Sequence, residues 1–137
     1  MNKALNETAI ENYLSSIGRQ ADKNYLYGYV EASNLDYALL GAFSYIKMKY
    51  FVITFYRNEI VLLPLTMAGD FDLKQEPIIL DNSTIEDIKI KKGLIQYKIT
   101  INTAGGDLVI KSNKKIVTCP WQSENIGYLE SNNWFIL

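Results

Sequence analysis

No histidine occurs among the 137 residues, and cysteine occurs once, at Cys119. The first absence removes the commonest general base and the commonest zinc or iron ligand. Together the two exclude an internal disulfide, a Cys/His metal site, and a Cys–His or Ser–His–Asp catalytic arrangement. Arginine is scarce, with only Arg19 and Arg57, so bidentate phosphate recognition has little to work with. No apolar run approaches the ~18 residues of a transmembrane helix; the longest, at 38–43 and 60–65, are short. Residues 1–7 carry charges and no long apolar h-region, so no signal peptide is expected and the cytoplasm is the default compartment. With a formal charge of −1, the chain does not resemble a strongly basic nucleic-acid binder, and no nucleic-acid partner is expected.

What is present describes an ordinary folded domain. The apolar share is 48% and the charged share 21%, which argues against disorder, and the length fits one domain over 1–137 with a real core. Leu5, Ala9, Tyr13 and Ile17, widened by Ile10 and Leu14, predict an amphipathic helix over 3–18, with Gly18 as its stop. A Tyr- and Val-rich strand is expected over 25–32. Residues 34–46 suit a short helix capped by Asn34, with an irregular strand as the alternative. At 50–56 and 60–65 two runs apolar at nearly every position flank the polar turn Arg57-Asn58-Glu59, predicting a hairpin buried on both faces. Residues 67–76 read as a loop.

The clearest periodicity follows. Ile88 and Ile90 alternate with Lys89 and Lys91. After Lys92-Gly93, residues Ile95, Tyr97, Ile99 and Ile101 share one face and Gln96, Lys98, Thr100 and Asn102 the other. Leu108 and Ile110, with Lys111 outside, continue the pattern after a turn at 104–107. Period-2 alternation of this kind marks a half-buried three-stranded meander over about 84–112. Pro120 suits the first position of a helix over 121–132, with Ile126 and Leu129 inward and Gln122, Glu124 and Glu130 outward. The apolar tail 134–137 is expected to be tied down.

The hairpin Tyr-Phe-Val-Ile-Thr-Phe-Tyr-Arg-Asn-Glu-Ile-Val-Leu-Leu-Pro at 50–64, the segment Ile-Glu-Asp-Ile-Lys-Ile-Lys-Lys-Gly at 85–93 and the final helix from Pro120 together resemble small bacterial pleckstrin-homology-like (PH-like) proteins. The likeness covers about 25–133 and leaves 1–20 as an extra N-terminal helix. It implies a mainly β (α+β) fold: a barrel of two packed antiparallel sheets, one open end plugged by the C-terminal helix. It also implies a role in lipid reading, protein interaction or structural support, among which a fold does not choose. The first predicted strand has no basic residue, and only Lys47 and Lys49 lie before the second, so the phosphoinositide pattern is not carried over.

Lys89, Lys91, Lys98 and Lys111 form a candidate basic face for phosphate-bearing partners or an anionic membrane. Lys92, Lys114 and Lys115 extend the cluster, and Asp107 is the only acid between 89 and 115. The plainer reading is a solvated face whose lysines discourage edge pairing. Asp70, Asp72 and Glu76 lack calcium-loop spacing and read as a solvated loop. The tyrosines of the predicted strands read as packing rather than a stacking platform. Gly105-Gly106 lacks the features of a phosphate loop. Cys119 reads as a small packed residue. The sequence therefore points to a non-enzymatic PH-like binding or interaction module without cofactor or metal, which recognises a protein partner or a second copy through a loop rim or sheet edge. The alternatives are a small-ligand carrier using the mouth between 34–46 and 66–76, and a peripheral binder of anionic membrane.

Overall fold

A computed structural model describes residues 6–31, 48–103 and 106–136. Helix α1 spans Glu7–Ser16. Asn6 caps it: its side-chain oxygen accepts from the N–H groups of Thr8 (2.8 Å) and Ala9 (3.3 Å), filling donors a helix start leaves open. Gly18 ends it with φ +80°, a left-handed conformation that glycine adopts without steric cost. Seven strands follow: β1 (Tyr25–Glu31), β2 (Met48–Phe55), β3 (Glu59–Leu65), β4 (Ile78–Asp81), β5 (Ile85–Lys92), β6 (Gln96–Thr103) and β7 (Gly106–Asn113). Helix α2 (Gln122–Ser131) and a 3-10 turn (Asn133–Phe135) complete the order.

The strands form one antiparallel sheet in the order β4-β3-β2-β1-β7-β6-β5. This corrects the expectation of two packed sheets closed into a barrel. Among the described residues no pairing joins β4 to β5. β4 has only four residues, too few to carry a long ladder onward. Where closure would bring strands together, a cavity of about 310 Å³ lies among Ile60, Ile85, Ile88, Trp134 and Ile136. The two halves of the sheet meet where β1 crosses β7, in register at Tyr29↔Lys111. Gly28 permits the crossing: a Cβ there would stand 2.9 Å from Ile110 Cγ2 and 3.0 Å from the Lys111 carbonyl oxygen.

The sheet separates two cores. Leu26, Phe51, Ile53, Phe55, Ile60, Leu62, Ile99, Ile101, Leu108 and Ile110 face one side, with Ile126 and Leu129 of α2 and Trp134. Val52, Val61, Leu63 and Leu65 face the other, against Ile10 and Leu14 of α1 and Trp121. β2 and β3 are thus buried on both faces, which is why their sequence shows no alternation. The 85–113 meander has only one face covered.

Two expectations change at the C-terminal helix. Pro120 lies in the turn before α2, whose first residue is Gln122. Gln122, expected in solvent, is fully buried. The two hydrogens of its Nε2 are shared among the Tyr27 carbonyl (3.1 Å), the Ser112 hydroxyl (2.8 Å) and the Asn113 carbonyl (2.9 Å), and its Oε1 accepts from the Tyr27 N–H (3.0 Å). One helical turn on, Asn125 Nδ2 donates to the Tyr25 carbonyl (3.0 Å). Two amides thus satisfy β1 backbone groups where β7 has diverged, and buried backbone groups need such partners. The proposed helix at 34–46 lies outside the described residues, and so does that side of the proposed ligand mouth.

Candidate functional site

The meander presents its uncovered face because Ile88 and Ile90 of β5, Ile99 and Ile101 of β6, and Leu108 and Ile110 of β7 turn toward the core. The alternate positions must then face outward. Register converts that alternation into a charge pattern. Lys91 pairs with Lys98, and Lys98 pairs with Lys111. Three lysines therefore stand in one row across three adjacent strands, at the ~4.8 Å strand spacing. Lys89 stands one row over, opposite Thr100, which in turn faces Val109. All four candidate lysines of the sequence thus share one face. The row continues into aromatics, since Lys111 is in register with Tyr29 and Tyr29 with Tyr50. At the far end of the face, Asp87 pairs with Asn102 and Asn102 with Asp107. The two acids lie about 13 Å along the strands from the lysine row, at ~3.3 Å per residue.

Lys92 and Lys114 of the cluster lie apart from that row. Lys92 is in register with Tyr97; its ammonium is 3.5 Å from Glu130, whose carboxylate accepts from the Tyr97 hydroxyl at 2.7 Å. The Lys114 ammonium lies 5.8 Å from the Tyr97 ring centroid, a cation–π distance. Both lysines are near the end of the β5–β6 hairpin, on the side opposite the lysine row.

The other candidates are absorbed by the fold. Asp72 is held in its loop: its carboxylate accepts from the Lys74 N–H (3.2 Å) and its N–H donates to the Pro64 carbonyl (2.9 Å). Tyr25 packs edge-on to Trp121 at 5.2 Å, and Tyr27 stacks on Tyr50 at 5.8 Å. Cys119 is buried, and burial pushes its thiol up to about 11, which leaves it protonated at neutral pH. Burial also pushes up Tyr27, to about 12, and the phenols of Tyr25 and Tyr97. Among the described residues no group of three acids and cysteines could hold a metal ion, and no helix is long and apolar enough to cross a membrane.

Alternation alone located the outward lysines, but not their alignment. Alignment depends on the two-residue β5–β6 turn and on the β6–β7 offset, which no single strand encodes. Alternation assigns Ile95 to the inward residues of β6 and so passes over the exposed pair Leu94 and Ile95 in that turn. Ile95 is 72% exposed, and Leu94 91%. Two apolar residues directly after Lys-Lys-Gly were the available signal. Neither a scan of protein-family models nor a search of curated proteins finds a match for the chain.

Proposed function

We propose that this chain is a non-enzymatic interaction module of the PH-like kind, which holds an anionic partner against the outer face of β5, β6 and β7. The observation that carries the reading is the row Lys91–Lys98–Lys111. Like charges directly opposite one another repel across a sheet, so a row of three ammonium groups concentrates positive potential on this face. Bringing an anion to it relieves that repulsion and supplies binding energy from the same charges. The PH-like assignment draws support from the order of elements: a hairpin over 48–65, a meander over 85–113, then a single helix carrying Ile126 and Leu129 into the core. The non-enzymatic reading is supported by the burial of Cys119, the single thiol, and by a sequence without histidine.

Heparin, a soluble polyanion, tests the face. The wild-type chain is expected to be retained on it in a salt-dependent way. The triple variant Lys91→Gln/Lys98→Gln/Lys111→Gln should elute at clearly lower salt, while Lys74→Gln, in the 67–76 loop, should elute close to wild type. Equal elution of the triple variant and the wild type would remove the face from consideration.

A further inference from the structure

The β5–β6 hairpin ends in residues that its turn does not require. Gly93 N–H donates to the Gln96 carbonyl at 3.0 Å, leaving Leu94 and Ile95 as the two central positions. Gly93 itself is demanded by the geometry, since a Cβ would come within 2.6 Å of the Gln96 carbonyl oxygen. Two-residue hairpin turns favour Asn, Asp and Gly. Here the positions hold two large aliphatics, 91% and 72% exposed, in backbone conformations with no positive φ. Lys114 N–H donates to the Ile95 carbonyl at 2.9 Å, tying the next loop to this tip. Three residues further along that loop, Val117 is 99% exposed.

Cations flank the tip on both sides. Lys91, Lys98 and Lys111 stand in their row on the outer face. Lys92, beside Glu130, and Lys114, over Tyr97, stand on the other. The stretches 88–106 and 108–123 contain no acid.

We propose that this tip is a membrane-insertion wedge: Leu94 and Ile95 enter the headgroup–acyl boundary of an anionic bilayer while the flanking lysines hold its phosphates and carboxylates. The inference rests on the anionic-face reading and names the source of the anion. A soluble polyanion offers projecting aliphatics nothing to bury against. A bilayer takes apolar side chains to a depth of about 5–10 Å and keeps the ammonium groups at its charged surface. Each lysine near an anionic leaflet contributes roughly a fivefold gain in binding.

The test is sedimentation with phosphatidylcholine vesicles, with and without phosphatidylserine, alongside heparin retention. Wild type should bind the phosphatidylserine vesicles and leave pure phosphatidylcholine largely unbound. Leu94→Ser/Ile95→Ser should lose at least about tenfold in vesicle affinity, by the transfer cost of exposed aliphatics, and keep its heparin retention. Leu94→Trp adds an exposed indole to a chain whose two native tryptophans, Trp121 and Trp134, are buried, and its emission should shift to the blue on phosphatidylserine vesicles only. The wedge is overturned if the serine variant binds those vesicles as tightly as wild type. It is also overturned, with the anionic face left standing, if wild type is retained on heparin but ignores both vesicles. A wild-type chain that binds neither heparin nor vesicles overturns both readings.

Discussion

At the scale of single residues, the side chain with most at stake is Gln122. It has a polar amide, sits in the first turn of a helix, and is followed by Ser123 and Glu124, so an outward orientation is the natural expectation. Its burial follows from a need that lies elsewhere. β1 leaves β7 after Tyr29↔Lys111, and the backbone of Tyr27 must then find partners off the ladder. A glutamine can supply both a donor and an acceptor to the backbone of one residue, and Gln122 does so for Tyr27. Gln122→Ala is expected to destabilise the chain by about 3 kcal/mol, the scale of stranding buried polar groups. Gln122→Glu keeps the acceptor for Tyr27 N–H but sets a carboxylate against two carbonyls and should be no better than alanine. Urea unfolding measures both, and a Gln122→Glu variant as stable as wild type at neutral pH would show that the amide donors matter little.

At the scale of elements, the lysine row creates a conflict between stability and binding. Lys98 has a lysine directly opposite it on each neighbouring strand. Lys98→Glu converts two repulsive cross-strand pairs into attractive ones and should stabilise the chain by about 0.5–1 kcal/mol, read as a higher urea midpoint with an unchanged slope. The same variant should bind heparin less well. Gain on one measure with loss on the other is what distinguishes a binding face from a merely solvated one; a variant destabilised by the change would contradict the packing of the row. The elements themselves were largely legible. Strict alternation gave the inner and outer faces of β6, and unbroken apolar runs gave the doubly covered β2 and β3. β4 was not legible, because four residues with Ile78, Ile79 and Leu80 in succession carry no period. The open sheet was not legible either. Closure depends on whether β4 pairs with β5 across the short turn at 82–84 or leads away from it, and local pattern does not decide between the two.

At the scale of the whole molecule, two phenols tie helices to strands, one in each core, and a third packs between strands. On the α1 side, the Tyr25 hydroxyl lies 3.1 Å from Glu7 of α1, to which it donates. On the α2 side, the Tyr97 hydroxyl donates to Glu130 of α2. Tyr27 stacks on Tyr50 on the α1 side. Burial raises all three, and the neighbouring carboxylates Glu7 and Glu130 add to the rise for Tyr25 and Tyr97. A phenol is neutral when protonated, so a raised folded-state value means the native chain holds its proton longer than the unfolded chain. The resulting stability is fully present below the unfolded value of about 10. It declines as pH rises past that point, because the unfolded chain ionises first, and it is lost as pH passes the folded values, about 12 for Tyr27. Melting temperature should therefore vary little between about pH 7 and 9 from these groups and fall steeply above about 10. Tyr97→Phe gives up the bond to Glu130 and lowers stability at neutral pH, yet it removes one ionising group and should show a shallower alkaline fall than wild type. An unchanged slope would mean that Tyr97 ionises alike in the folded and unfolded chains, and that the tie between β6 and α2 rests on packing around Trp134 rather than on the phenol.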